Sequence, residues 1–399
     1  MRICFVHDWH AEKMGYIDNC LPKALAKLGH EVILLSSDLQ PYFYLPNYDD
    51  LYGDFLGPSQ VPVGTKVIDG VTIERLPHRL LGSRIFIRGL YKRLKTWQPD
   101  VIQTFTLLSY PTLTSAWYSR SKSCRLFTGC HMHKSVFPLA LEPCNHVLRA
   151  KNWLNAVSRG KLVDSVMQMC YAIAEDTAEV AINFYGASAN KVIVRELCVD
   201  TDHFSPIATA EQLQKRASLR KELGFSEADV VCVYSGRFSK SKNPMCLAKA
   251  LDICHSRNPK CNLKGLFIGS GSKEDTDYIR ACAGCIIMDF QPFTDLPDYY
   301  RASDIGVWPR EESTSMLDAN ACGLPIIISD EVKSSQRIGE NSLTYRDSDF
   351  EDLANQLEAL LSKDVRKRKG QAGVEKVKAN FSWLAEAKRR EVEYGRDMH

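Results

Sequence analysis

Two segments of the 399-residue chain concentrate side chains able to hold an anion and a polyhydroxylated ligand. GRFSKSKN (Gly236–Asn243) directly follows the apolar run VVCVYS. A glycine at a strand end, a helix start just beyond it and two cations, Arg237 and Lys242, suit a diphosphate group. The second segment, WPREESTSMLDANACGLPIIISD, runs from Trp308 to Asp330. Ser313, Thr314 and Ser315 are types that cap a helix, leaving backbone N–H groups facing whatever anion lies ahead. The carboxylates of Glu312 and Asp318 can each accept two hydrogen bonds from vicinal sugar hydroxyls. Taken alone, a solvated and capped helix explains this second pattern better, and exposed cations after a strand are common.

Other motifs carry less. Gly15 stands after the first apolar run in HAEKMGYIDN, and Gly269–Gly271 reads GSG after another. Neither completes the GxGxxG spacing of a dinucleotide fold, which leaves an oxidoreductase without its main support. His131 and His133 form an HxH pair in LFTGCHMHK with no third ligand nearby, so imidazoles at a strand end suit it better than a metal. Cys282 and Cys285 lack the second CxxC of a zinc site, and buried thiols are the expectation.

The elements that must position these residues alternate in type. Strands are expected at Arg2–Val6, Glu31–Ser36, Asp100–Phe105, Gln168–Ile173 and Lys191–Arg195, with a helix at Ile17–Leu28. A second set begins near Asp229. It has strands at Val230–Ser235, Leu263–Ile268, Ile286–Met288, Ile305–Trp308 and Pro325–Ser329, separated by helices at Met245–His255, Thr276–Cys282, Leu296–Ala302 and Met316–Ala321. This alternation is the signature of parallel sheets covered by helices. Two doubly wound α/β domains result, joined near Val199–Glu211. In such sheets ligands bind outside the carboxyl ends of the strands, where both segments fall. Gln40–Val67 breaks the rhythm as a long aromatic, proline- and glycine-rich loop, and loops of that length are often functional.

Charge narrows the classes of partner. The net charge is only +3, which argues against bulk nucleic-acid binding. Residues 75–141 nevertheless carry 11 cations against one acid, Asp100. No apolar run is long enough for a membrane helix or a signal peptide, so a cytoplasmic protein with reduced cysteines is expected.

In their order and spacing the segments GHEVILLSS, QPDVIQTF, YAIAEDTAEVAINFYGASANKV, VDTDHFSP, VYSGRFSKSKNP, LFIGSGS, YYRASDIGVWP and NACGLPIIISD resemble the GT-B glycosyltransferases of family 4. These are retaining enzymes that use nucleotide-sugar donors. The resemblance implies two Rossmann-like domains, 1–199 and 200–380, facing across a cleft, with residues 381–399 crossing back to the first. It implies that Arg237 and Lys242 bind the donor diphosphate, that Asp318 holds the ribose and that Glu312 faces the transferred sugar. Gly15 would approach the diphosphate and His131 the donor sugar. The implied donor contacts also take in Gly236, Phe290, Ser313, Thr314, Ser315, Met316 and Leu317. No metal or other cofactor is implied. The family's two acids are separated by seven residues; here five separate Glu312 from Asp318 and six separate Glu311 from it, so either glutamate can be the first acid. This shortened loop keeps open a degenerate relative that binds a sugar nucleotide or a partner without turnover. A GT-B phosphorylase or epimerase is the other alternative.

The basic stretch then acquires a meaning. Arg84, Arg88, Lys92 and Lys95 recur at helical spacing, with Ile87, Leu90, Tyr91 and Leu94 on another side. An amphipathic helix over Arg84–Lys95 could lie on an anionic membrane, where relatives meet lipid-linked acceptors. The expected partners are therefore a nucleotide sugar, a glycan or lipid-linked acceptor and an anionic membrane surface, with no nucleic acid.

Overall fold

The computed structural model describes residues 1–82, 84–134, 137, 146–332 and 338–395, the side chains of Leu51 and residues 146–149 excepted. The distal end of the basic stretch and residues 396–399 of the tail lie outside the described residues. The chain divides into two units, Met1–Leu197 with Glu386–His399, and Cys198–Ala385.

The first unit is built on an eight-stranded sheet. Its strands are β1 (Arg2–His7), β2 (Glu31–Ser37), β3 (Gly64–Ile68), β4 (Val71–Leu76), β7 (Val101–Thr104), β8 (Arg125–Cys130), β9 (Met167–Ala172) and β10 (Val192–Val194). They lie in the order β10-β9-β8-β7-β1-β2-β4-β3, all parallel except the edge strand β3. Central strands such as RICFVH are buried nearly throughout because helices cover both faces, so they read as continuous apolar runs. The β3–β4 pair closes through Asp69-Gly70, both with positive φ, the backbone that a two-residue hairpin turn requires.

The amphipathic helix expected over Arg84–Lys95 does not form. A two-stranded hairpin, β5 (His78–Leu81) and β6 (Arg84–Ile87), occupies its first half, and a helix runs only from Leu90 to Trp97. Gly89 separates them at φ 81, a left-handed conformation that breaks any continuous helix. Period two then orders β6: Ile85 and Ile87 are buried while Arg84 and Phe86 face out.

The Gln40–Val67 segment is likewise more ordered than a structureless loop. It contains short helical turns at Asp49–Gly53 and Asp54–Leu56 and ends in β3. Its mouth is pinned by an antiparallel bridge between Leu39 and Gln60.

The second unit carries a parallel six-stranded sheet of β11 (Val230–Ser235), β12 (Leu263–Ile268), β13 (Cys285–Met288), β14 (Ile305–Trp308), β15 (Ile326–Ser329) and β16 (Ser342–Tyr345). The order is β13-β12-β11-β14-β15-β16. The strand order reverses between β11 and β14, so the loops after these strands flank the topological switch point of the sheet. The helix Trp383–Gly395 ends the described chain. From Glu386 onward it belongs to the first unit, where the Arg390 guanidinium bonds Glu386 at 2.6 Å and lies over the Tyr171 ring.

Candidate active site

In the second unit the loop after β11 is shaped by close backbone contacts. Gly236 (φ 148) and Gly269 (φ 144) lie side by side at the ends of β11 and β12. A Cβ on Gly269 would sit 2.0 Å from the Gly236 carbonyl oxygen, so only glycine lets these turns touch. Phe238 N–H donates to the Ser270 carbonyl at 2.7 Å, and the Tyr234 hydroxyl donates to the Arg237 carbonyl at 2.8 Å. The Arg237 backbone is thereby held while its side chain stays exposed. Asn243, at φ 50, then turns the chain into the helix Pro244–Arg257, with proline at its first position.

The loop after β14 meets Lys242. Lys242 Nζ lies 3.2 Å from a Glu311 carboxylate oxygen and donates to the Glu312 carbonyl at 3.0 Å. Glu311, Glu312 and Thr314 are exposed, while Ser313, Ser315 and Asp318 are partly covered. The helix that follows, Ser315–Ala321, is shorter than a typical helix, and Thr314 precedes it without a side-chain capping bond. The hydroxyl of Ser313 accepts from the Ser315 backbone N–H. Met316 and Leu317 are buried against the core. The floor is rigid: Trp308 Nε1 donates to the Ser235 carbonyl, and the Ser235 and Tyr300 hydroxyls are 2.7 Å apart. Beyond β13, Phe290 presents its ring at 63 % exposure. The loops after β11 and β14 are thereby joined at the carboxyl ends of their strands, with Lys242 against Glu311 and Glu312.

In the first unit the strand ends carry buried polar groups. Asp18, in the first turn of the helix Ile17–Lys27, accepts from His10 Nδ1 at 2.6 Å and lies 3.6 Å from His7 Nδ1. Burial alone would raise the Asp18 carboxyl, but the bond from His10 and the nearby His7 ring prevail and hold it well below the ordinary carboxylate range. The buried Arg75 donates to the His10 carbonyl at 2.9 Å. His7 and His131 both approach the ring of Phe105, His131 edge-on. Burial first, then the neighbouring His7, pushes the His131 imidazole down to about 4, so it is neutral at pH 7. His133 is exposed and turns to Asp176, at 3.1 Å. Among the described residues no three His, Cys, Asp or Glu side chains come together as a metal site.

The model for Glycosyltransferase Family 4 matches residues 21–203, and that for group 1 glycosyl transferases matches 229–363. The Rickettsia africae glycosyltransferase superposes with a TM-score of 0.66 at 14% identity, over 98% of this chain and 97% of that one. Anabaena Alr3699/HepE, solved with UDP, superposes at 0.63 and 14% identity, over 98% and 100%. The chain is a GT-B glycosyltransferase of family 4. Curated relatives of this glycosyltransferase include spore coat protein SA of Bacillus subtilis, 28% identical over 55% of this chain and 63% of that protein. The D-inositol 3-phosphate glycosyltransferase of Geodermatophilus obscurus is 27% identical over 52% and 48%. The chain thus spans less than two thirds of these relatives' length.

Within the glycosyltransferase, Gly236, Arg237, Lys242, Phe290, Glu312, Ser313 and Thr314 lie in the loops after strands of the second unit, and Ser315, Met316, Leu317 and Asp318 in the helix Ser315–Ala321 that follows β14. Gly15, at φ 63 in the turn before the helix Ile17–Lys27, and His131, one residue past β8, belong to the first. Sequence reasoning passed over His7, His10 and Asp18. The signal was the string HDWH straight after the first strand, followed by an acid in the first helical turn. It also read GSG only as a failed dinucleotide motif, whereas Gly269 is there to admit the Gly236 carbonyl.

Proposed function

We propose that this glycosyltransferase moves a sugar from a nucleoside-diphosphate sugar to a hydroxyl of a glycan or lipid-linked acceptor, with retention of anomeric configuration, in surface polysaccharide or glycolipid synthesis. The observation that carries the reading is the exposed Arg237 after β11 at the switch point of the second sheet, with Lys242 against the acidic loop after β14. Their charge would stabilise the departing diphosphate without a metal. Asp318 would take the ribose, Glu311 or Glu312 the sugar hydroxyls and Phe290 the base. No side-chain nucleophile is required if the acceptor attacks from the face the diphosphate leaves and the diphosphate takes its proton. Gly15 and the neutral imidazole of His131 would contribute from the first unit. The complexes of Anabaena Alr3699/HepE with UDP and UDP-glucose support a nucleotide-sugar donor.

The test is a panel of nucleoside-diphosphate sugars, read by thermal shift and then by transfer or hydrolysis with and without EDTA. Stabilisation by one nucleotide series, turnover unaffected by EDTA and a product of unchanged anomeric configuration are expected. An inverted product would overturn the retaining assignment, and loss of turnover in EDTA the metal-free one. The Lys242–Glu311 pair favours a second reading, in which the protein binds a sugar nucleotide without turnover, because the ammonium is already engaged. Binding with neither hydrolysis nor transfer would decide for it.

Membrane contact is proposed through the hairpin rather than through a helix. Leu80, Leu81 and Phe86 are exposed on it, with Arg79, Arg84 and Arg88 on the same hairpin or just beyond and Lys92 and Lys95 on the next helix. Among the described residues no helix is long and apolar enough to cross a membrane. Each surface cation near anionic lipid contributes about 1 kcal/mol. Flotation with anionic liposomes should weaken markedly in the Arg84→Glu, Arg88→Glu double variant; equal flotation of both proteins excludes this surface.

A further inference from the structure

We propose that the segment between Gln40 and Val63 is a platform for an uncharged sugar ring of the acceptor glycan. This rests on the transferase reading above and names the chemistry of its acceptor. The segment leaves the carboxyl end of β2, beside the Gly15 turn that leaves the carboxyl end of β1, on the rim where open α/β sheets take their ligands. It is pre-shaped. Its ends are tied by Gln40 N–H to the Ser59 carbonyl at 2.9 Å and Val61 N–H to the Asp38 carbonyl at 2.8 Å. Inside, the Tyr48 hydroxyl donates to the Gly57 carbonyl, and Tyr48 and Leu56 bury themselves with Ala11 in a small core of their own. A compact loop with its own core and closed ends is a form that often carries function.

Tyr42 and Tyr52 pack, half-buried, against that core, and Tyr44 stands exposed. Tyr42 sits at φ 65, a left-handed conformation rare for a bulky residue and one that surrounding contacts must enforce. Its ring stacks on Tyr52, with centroids 4.8 Å apart and planes 9° from parallel. Its hydroxyl meets that of Tyr16, the residue after Gly15, at 2.9 Å. Tyr44 stands edge-on to Phe43 and is 63 % exposed. Phe43 packs against the main core of the first unit, so the neighbouring Tyr44 is the ring left to solvent.

Charge selects the occupant. Residues 41–63 contain no lysine or arginine, and Asp49, Asp50 and Asp54 are all exposed, while Lys13 reaches the segment from outside and spends a donor on the Phe55 carbonyl at 3.1 Å. Carboxylates accept hydrogen bonds and repel phosphates and anionic lipid. A neutral pyranose offers C–H groups to a ring face and hydroxyl donors to carboxylates, and it matches both. Rigid tyrosines supply such contact at low conformational cost.

The test uses the full chain on an array of neutral hexose oligosaccharides, their sialylated and phosphorylated counterparts, and anionic vesicles. Neutral oligosaccharides should be retained. Tyr44→Ala should weaken retention about tenfold, a stacking contact's worth, and Tyr44→Trp should restore it. Because Tyr44 is exposed, both variants should melt with the wild type, and thermal shift by UDP, GDP and ADP is recorded on the same samples. Unchanged retention in Tyr44→Ala, or preference for the acidic glycans or the vesicles, overturns the platform. Nucleotide stabilisation without any oligosaccharide retention overturns it too, while leaving the transferase reading intact. Loss of nucleotide stabilisation alone, with Tyr44-dependent retention kept, removes the transferase reading and not the platform.

Discussion

The two sheets present their carboxyl ends differently. After β11 and β14 the charges are exposed or half-covered: Arg237 reaches into solvent, and Lys242 shares a surface pair with Glu311. After β1 the polar groups are buried: His10 and Asp18 are almost wholly covered and bonded to each other. A surface pair contributes only ~0–1 kcal/mol and exchanges easily for a ligand's charge. A buried pair contributes little net stability but costs much to break, because removing one partner strands the other. The second unit therefore keeps its charge available for a ligand. The first uses charge to fix a shape, the turn that carries Gly15 and Tyr16.

Breaking that contrast begins with Asp18. Asp18→Ala leaves the buried His10 without its acceptor and should destabilise the first unit by about 3–5 kcal/mol in urea unfolding. A change under about 1 kcal/mol would mean the cluster is not structural. Arg237→Ala should behave in the opposite way: transfer falls ~10²–10³-fold with the melting temperature unmoved. Wild-type turnover in that variant removes Arg237 from the chemistry. Glu311→Gln sharpens the comparison by releasing Lys242, and nucleoside-diphosphate binding should tighten by up to about fivefold in calorimetry, the worth of a surface pair. Weaker binding would instead make Glu311 itself a donor contact.

The smallest effect concerns pH. The folded His131 imidazole titrates near 4, against an ordinary value of 6.5. Between those values the unfolded chain takes up a proton that the folded chain refuses, so this contribution is complete above about pH 6.5 and is lost as the pH falls toward 4. His131→Gln should flatten the melting-temperature profile in that window and leave pH 7 to 8 unchanged. Asp18 adds a separate loss at still lower pH, because its carboxyl is held below the ordinary range.

Legibility in the sequence followed burial. VVCVYS, LKGLFI and IGVW are central strands buried almost throughout, and their mostly apolar runs, broken only by Lys264, locate Val230–Ser235, Leu263–Ile268 and Ile305–Trp308 to the residue. Edge elements were harder. β3 is exposed along its whole length, and its best signal was the Asp69-Gly70 turn rather than any apolar pattern. RIFIRGLYKRLK satisfies period two and period four at once, and which of them won depended on Gly89 and on a partner strand at His78–Leu81.

The sequence by itself determined the alternating architecture, the strand ends at which Arg237, Lys242, Glu312 and Asp318 stand, and the likeness to family 4, because runs of buried residues and short motifs are local properties. Tertiary structure alone decided what those residues touch. Lys242 meets Glu311 across 69 positions of sequence, Gly269 admits the carbonyl of Gly236, and Asp18 collects His7 and His10 only because β1 and the helix after it pack side by side. Such contacts depend on the relative placing of elements, which no local pattern of residues encodes.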